Sequence, residues 1–137
     1  MKNFQCSACG NKVYFGNVAC LRCKSALAFD PSTLTMIAME AAGEAGDFRT
    51  LGTNAGAHVR YCANHMHGVC NWLAPANDPA GFCIACKLNR TIPNLSEPGN
   101  LDAWDKLERA KKRLVFSLLR FGLPLDATSQ GKGALAF

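Results

Sequence analysis

The sequence lacks any long apolar run, and this absence bears on where the protein resides. No stretch approaches the roughly 18 apolar residues that a membrane-spanning helix needs. The segment Met1–Cys6 contains no apolar stretch of signal-peptide length. We therefore expect a cytoplasmic chain with no membrane partner. In that compartment, cysteines serve more often as metal ligands than as disulfides.

Histidine is scarce as well, and the chain contains no recognisable catalytic set. The three histidines are His58, His65 and His67, and none begins the His-Glu-x-x-His motif of a zinc peptidase helix. We identify no candidate catalytic residue, so the sequence leaves open whether the chain is an enzyme.

Cysteine, in contrast, is abundant, because the 137 residues contain eight cysteines in two groups of four. A four-thiolate site binds zinc with tetrahedral geometry, and the same ligands accept iron. The spacing predicts two structural Zn²⁺ ions and leaves no cysteine unused. The predicted ligands of the first ion are Cys6, Cys9, Cys20 and Cys23. The predicted ligands of the second ion are Cys62, Cys70, Cys83 and Cys86.

The first group, spaced Cys-x2-Cys-x10-Cys-x2-Cys, predicts a zinc ribbon over residues 1–29. The β-prone segment Lys12–Phe15 lies between its two cysteine pairs. Gly10 follows the first pair, where a metal-binding turn often needs a positive φ, and Lys24 holds the equivalent place after the second pair. We interpret the ribbon as a mini-domain that depends on its metal, since it is too small to bury a core.

Residues 30–99 predict a β-rich segment that carries the second site. Leu34–Met39 favours a strand, and Phe48–Leu51 is its expected partner. Between the two ligand pairs of the second site, the short apolar run Asn71–Pro75 also fits a strand.

Two histidines complicate the ligand set of the second site. His65 and His67 both lie between Cys62 and Cys70. Zinc accepts mixed cysteine and histidine ligands, so one of these histidines is an alternative to a cysteine. The four cysteines already complete the site, and we favour them.

Residues 100–137 predict a long amphipathic helix and a tail. The helix is expected from Leu101 to Phe121 with Asn100 as its N-cap, and the tail from Asp126 to Phe137 has loop composition. The apolar stripe predicted to face the core consists of Trp104, Leu107, Leu114, Leu118 and Phe121. The residues expected beneath it are Trp72, Leu73 and Ile92. The fold class is therefore small α+β, with two zinc-stabilised β-rich modules followed by one long helix.

The charge of the chain argues against a strongly cationic nucleic-acid binder. Fifteen Lys and Arg against ten Asp and Glu give a formal net charge of +5. Each zinc ion with four thiolates carries a charge of −2, so two such centres reduce the net charge to about +1. We interpret the basic run Lys111–Arg113 as a solvated helix face, with phosphate contact as the alternative.

Three further segments resemble a known family. They are Cys70-Asn71-Trp72-Leu73, Cys83-x-x-Cys86-Lys87-Leu88-Asn89-Arg90-Thr91-Ile92-Pro93, and Trp104-x-x-Leu107-Glu108-x-Ala110-Lys111-x-Arg113-Leu114. Together with the N-terminal ribbon, they resemble a bacterial family of zinc-binding metallopeptidases that begin with a zinc-ribbon domain. The resemblance covers nearly the whole chain. It implies that a longer region with a His-Glu-x-x-His helix follows the ribbon and the cysteine-rich segment.

The chain departs from that family because it lacks the motif that supplies two zinc ligands and a general base. The resemblance therefore implies a non-catalytic zinc-binding module, either the N-terminal part of such a protein or a shortened relative of it. Its implied partner is protein, either a downstream peptidase-like region or a separate chain.

Two other functions stay open from the residues alone. A nucleic-acid-binding zinc ribbon is supported by the basic run Lys111–Arg113, by Arg90, and by the aromatic residues Tyr14 and Phe15. A redox protein would need a free Cys-x-x-Cys thiolate of low pKa, which metal binding removes.

Overall fold

The computed structural model describes residues 2–125 and 135–137. Strands β1 (Phe4–Gln5) and β2 (Lys12–Val13) form a two-stranded antiparallel sheet, and the first cysteine pair lies in the turn between them. A second antiparallel sheet has the order β3 (Ala26–Asp30), β4 (Thr35–Ala41), β5 (Phe48–Thr50) and β6 (His58–Val59). Two short 3₁₀ helices (Ala63–His67 and Cys86–Leu88) precede the helix α1 (Asn100–Arg120). The small α+β fold expected from the sequence is confirmed.

The predicted pairing of the central strands is confirmed as well. β4 pairs with β5, with Met39 opposite Thr50. The preceding β3–β4 turn is stabilised by Asp30, whose carboxylate accepts hydrogen bonds from the Ser32 amide at 2.9 Å and the Ser32 hydroxyl at 2.7 Å. Such local bonds favour a turn over continued strand.

The segment after Cys70 connects the two edges of the larger sheet. The Phe29 amide donates to the Asn71 carbonyl at 2.8 Å, and the Leu73 amide donates to the Phe29 carbonyl at 2.9 Å. On its other side, the Trp72 carbonyl accepts from the Cys62 amide at 2.8 Å. The apolar run predicted as a strand therefore lies between β3 and the chain that follows β6.

One aromatic cluster forms the centre of the main core. The rings of Phe29 and Trp72 have centroids 4.6 Å apart, and the Phe15 ring lies 4.9 Å from Phe29. Phe4 and Phe116 complete the group, each about 6 Å from Phe29 (6.1 and 5.8 Å). This core contains residues from all three predicted segments, 1–29, 30–99 and 100–137. The division of the chain at those boundaries remains a prediction.

Helix α1 packs on the cysteine-rich segment, but the predicted face was wrong. Trp104 is buried as expected, whereas Leu107, Leu114 and Phe121 are 69%, 44% and 76% exposed. The buried face instead carries Trp104, Glu108, Lys111, Lys112 and Val115. The apolar pattern of the sequence does not identify this face, because three of its five residues are charged. Their aliphatic stems and paired charges allow them to be buried.

Two smaller expectations also change, and a third is mostly untested. The helix begins at Asn100, so Gly99 is the N-cap in place of Asn100. Ile92 is 50% exposed, while Trp72 and Leu73 are buried as predicted. The predicted loop from Asp126 onward falls mostly outside the described residues, although the Phe137 amide donates to the Leu88 carbonyl at 2.9 Å.

Among the described residues, no helix combines the length and apolarity that a bilayer crossing requires.

Two candidate metal centres

The first group of cysteines comes together as predicted. The four Sγ atoms of Cys6, Cys9, Cys20 and Cys23 all lie within 4.8 Å of one another. The Cys6–Cys23 and Cys9–Cys20 sulfur distances are both 3.7 Å. A zinc–sulfur bond of about 2.3 Å in a tetrahedron implies sulfur–sulfur distances of about 3.8 Å, so the four thiols fit one zinc ion.

Two matching turns hold these ligands. The Gly10 amide donates to the Cys6 carbonyl and the Lys24 amide donates to the Cys20 carbonyl, both at 2.9 Å. Gly10 has φ 72° and Lys24 has φ 64°, the left-handed conformation that the sequence predicted at both places. Equal turns on facing strands therefore present two cysteines each, which is the arrangement of a zinc ribbon.

The first centre is asymmetric in its exposure to solvent. Cys6 and Cys20 are buried, whereas Cys23 is exposed. Burial raises the pKa of the Cys6 thiol to about 12. The Ser25 hydroxyl lies 3.3 Å from Cys23 Sγ, and its hydrogen bond lowers the pKa of Cys23 to about 6. The exposed thiol of Cys23 therefore loses its proton more readily than the buried thiol of Cys6 when a metal ion enters.

The second group also converges, and all four of its cysteines are buried. The Sγ atoms of Cys62, Cys70, Cys83 and Cys86 lie within 4.8 Å of one another. The Cys70–Cys83 sulfur distance is 3.8 Å, again the separation that a zinc tetrahedron needs.

Hydrogen bonds from backbone amides and between thiols shift the pKa values of the second group's cysteines in different directions. The Cys83 amide donates to Cys62 Sγ at 3.3 Å, and the Cys86 amide donates to Cys83 Sγ at 3.4 Å. The hydrogen bond with Cys70 is the main reason that the pKa of Cys62 lies far below its usual range. The hydrogen bond with Cys62 is the main reason that the pKa of Cys83 is raised. The four thiols therefore lie close enough together to share one ion.

Neither histidine takes a ligand position in this group. His65 Nδ1 lies 2.7 Å from the Cys70 carbonyl oxygen, and its ring stacks on Tyr61 with centroids 3.6 Å apart. His67 packs beside Trp104, with ring centroids 5.7 Å apart. Within the described part of the chain, the ligand atoms that converge here come from the four cysteines.

A group of buried charges beside the second centre was missed from the sequence. Glu108 Oε1 accepts hydrogen bonds from Trp104 Nε1 at 3.1 Å, Asn89 Nδ2 at 3.0 Å and Lys111 Nζ at 2.7 Å. Glu108 Oε2 lies 3.9 Å from Cys86 Sγ. The sequence feature that could have revealed this group is the i, i+4 and i+7 spacing of Trp104, Glu108 and Lys111. This spacing places the three residues on one helix face.

Lys112 approaches the same centre from the next turn of that face. Its Nζ donates to the Val69 carbonyl, which adjoins Cys70. The interpretation of Lys111–Arg113 as a solvated face was therefore wrong for Lys111 and Lys112, which are buried, whereas Arg113 is exposed. The aliphatic stem of a lysine can cover apolar surface while its ammonium finds a partner, and this explains the error.

The geometry supports two structural zinc ions. Each centre supplies four soft ligands at tetrahedral spacing, and a complete thiolate set leaves no open position for water or substrate. Bound zinc would stabilise the fold at both centres, since its binding free energy in a small domain is largely folding free energy.

Comparison with known proteins gives one family and several relatives. A model of the zinc-ribbon domain matches residues 3–97. The chain is 32% identical over 130 residues to "Uncharacterized protein Rv2568c" of Mycobacterium tuberculosis and, equally, to "Uncharacterized protein Mb2598c" of Mycobacterium bovis. These alignments cover 95% of this chain and 34% of each relative, so the chain spans about a third of their length. No solved structure matches the chain.

Proposed function

Since the chain belongs to the zinc-ribbon domain family over residues 3–97, we propose that it is a non-catalytic zinc-binding module that binds a protein partner. The observation that carries this proposal is the pair of complete four-cysteine centres. Closed tetrathiolate sites stabilise structure and do not activate water. We place this role in the cytoplasm, where cysteines stay reduced and available to zinc.

The partner surface that we propose is the outward face of α1. Leu107 and Leu114 of α1 and Phe121, the C-cap residue that follows it, lie at intervals of seven residues and are exposed. Each of the two seam positions of a paired helix recurs every seven residues, so this row has the spacing of one of them. Single exposed apolar residues are ordinary on a protein surface, but an aligned row on one helix marks an interaction site.

The charges beside this row define the chemistry of the partner. Lys106, Arg113 and Arg120 are exposed and each directly precedes a residue of the apolar row. Within the described residues, none of the three forms a salt bridge. In paired helices, residues flanking the apolar seam select partners of opposite charge. We therefore propose a partner helix with an apolar stripe and acidic flanking residues.

We further propose that this helix belongs to a metallopeptidase-like region. The resemblance of Cys83–Pro93 and of the α1 pattern to zinc metallopeptidases supports this choice. The greater length of the mycobacterial relatives also supports it, because about two thirds of each relative has no counterpart in this chain. The module would then support that region or recruit it.

The test uses the part of the Mycobacterium tuberculosis relative that this chain does not match, expressed separately. We expect it to bind the zinc-loaded chain in calorimetry. Leu114→Glu should weaken binding at least about tenfold, because it places a charge in the apolar seam and repels an acidic flank. Leu21→Glu is the matched control, since Leu21 is 84% exposed and lies outside α1.

Equal affinity in both variants would contradict the helix as the binding face. Absence of binding by the unmodified chain would contradict the metallopeptidase-like partner. Self-association of the chain, detected by sedimentation and abolished by Leu114→Glu, would show that a second copy of the chain binds the outward face of α1. It would contradict the metallopeptidase-like partner.

The nucleic-acid alternative loses half of the six residues that supported it. Phe15 lies in the aromatic core, and Lys111 and Lys112 are buried. Tyr14 remains 59% exposed, with Lys12 Nζ 5.6 Å from its ring centroid. Arg90 and Arg113 are exposed as well. These few residues do not favour this function over the protein partner.

A further inference from the structure

Three ionisable side chains of α1 are buried against the second cysteine centre. Glu108 is 2% exposed, Lys111 is 4% exposed and Lys112 is 5% exposed. Burying a charge is costly unless another charge or a set of hydrogen bonds compensates it. Each of these groups should therefore have an identifiable partner.

Glu108 and Lys111 compensate each other. Their Oε1–Nζ distance is 2.7 Å, and Asn89 bonds to both, donating to Glu108 and accepting from Lys111. Lys112 is different, because no carboxylate lies within salt-bridge distance of it in the described part of the chain. Its hydrogen bond goes to the neutral carbonyl of Val69. Among the residues that the structure describes, Lys112 is thus a buried positive charge with no carboxylate to compensate it.

The second centre supplies the missing negative charge. Zinc with four thiolates carries −2, and Val69, the acceptor of the Lys112 bond, is the residue before the ligand Cys70. We infer that Lys112 is the buried counter-ion of the second zinc centre, held beside it by the Val69 carbonyl. It is a positioning residue, since it acts on the metal through charge and does not ligate it.

The pKa of Cys70 is consistent with this arrangement. It is raised first of all by the hydrogen bond with Cys62, while the charge of Lys112 acts in the opposite direction and favours the thiolate. The first centre differs, because Cys23 and the nearby Arg22 and Lys24 are exposed and water screens their charges. Lys112 should therefore matter at one centre alone.

The experiment follows release of zinc from the purified, fully loaded chain to a coloured chelator. Lys112→Met removes the charge and the hydrogen bond to the Val69 carbonyl but keeps an apolar stem, so the negative centre loses its compensating charge. We expect one of the two zinc ions to leave about 10- to 100-fold faster, the range found when groups around metal ligands are changed. Lys112→Arg should restore slow release.

Lys106→Met is the matched control, since Lys106 is an exposed lysine on the same helix. It should release both ions at the original rates. Unchanged release from Lys112→Met would overturn the inference. Equal acceleration at both centres, or failure of Lys112→Arg to restore retention, would also overturn it.

A second readout separates charge from packing. In the iron-loaded chain, the reduced tetrathiolate is more negative than the oxidised one, so a nearby ammonium favours reduction. Lys112→Met should lower the reduction potential of one centre, whereas Lys106→Met should change neither. An unchanged potential would overturn the inference.

If Lys112→Met does not fold, Lys112→Gln and Lys112→Arg take its place, since both can bond to the Val69 carbonyl and only Arg is charged. Slow zinc release from Lys112→Arg together with fast zinc release from Lys112→Gln would support Lys112 as the counter-ion. Equal rates of zinc release from these two variants would overturn the inference.

Discussion

Ser7 is the side chain that ties the first metal centre to the larger sheet. It lies between the ligands Cys6 and Cys9, and its hydroxyl donates to the Leu51 carbonyl at 2.9 Å. The same oxygen accepts a hydrogen bond from the Ala38 amide in β4 at 2.8 Å. One hydroxyl thus satisfies two backbone groups of the sheet and fixes the first ligand turn against it.

Gly52 makes this close approach possible. A Cβ placed on Gly52 would lie 1.9 Å from the Ser7 carbonyl oxygen, and Gly52 has φ +90°. We expect Gly52→Ala to lower the free energy of unfolding by more than about 3 kcal/mol, because strain and a backbone clash combine. Chemical denaturation of the zinc-loaded chain measures it.

Gly56→Ala is the matched control for that prediction. Gly56 has φ +94° but nothing within 4 Å of its Cβ position, so it carries the conformational strain without the clash. Its cost should stay near 1–2 kcal/mol. Equal losses in the two variants would show that Ser7 does not approach Gly52 closely.

For individual residues, the sequence predicted backbone conformation more accurately than it predicted side-chain burial. The positive φ at Gly10 and Lys24 followed from their places after the cysteine pairs. The burial of Lys111 and Lys112 did not, because it depends on which neighbours the fold brings to the helix. Composition alone assigns such lysines to the surface.

Among the elements, α1 shows the largest difference between pattern and packing. Leu114 and Val115 are neighbours, yet Leu114 is 44% exposed and Val115 is 0% exposed. The apolar row is the one that contains Leu107 and Leu114, whereas three of the five positions on the buried face hold charged residues, so apolar periodicity selects the wrong face. The strands predicted at Leu34–Met39 and Phe48–Leu51 correspond to β4 and β5, and they pair as expected.

These neighbours give a direct test of how the helix is rotated. Val115→Ala should lower the free energy of unfolding by about 1.5–3 kcal/mol, as expected for a buried aliphatic side chain. Leu114→Ala removes more atoms but should cost less than about 1 kcal/mol, because its site faces outward. Thermal or chemical unfolding of both variants compares the two costs, and the reverse order would contradict the packing of α1.

On the scale of the whole molecule, the ribbon and the second centre share one core. Phe4 and Phe15 from the ribbon contact Phe29, Trp72 and Phe116. The cysteine spacing alone predicted two independent sites, and the sites are indeed separate. It did not predict the shared aromatic cluster, because contacts between distant segments leave no local pattern.

The shared core predicts that loss of the first zinc weakens the entire chain. In Cys9→Ser the ribbon should unfold and withdraw Phe4 and Phe15, so the helical circular dichroism signal should melt at a lower temperature. Ala8→Ser, an exposed change in the same turn, should melt like the unmodified chain. A Cys9→Ser helix that melts at the original temperature would show that the ribbon is an independent lobe.

The central claim is that eight cysteines form two structural zinc centres, each complete within its own group. Native mass spectrometry of the purified chain, with elemental analysis of the same sample, tests it most directly. We predict two zinc ions per chain, falling to one in Cys23→Ser, where the altered ligand is exposed and belongs to the first centre. A single metal ion in the unmodified chain, or two retained with full affinity in Cys23→Ser, would contradict it.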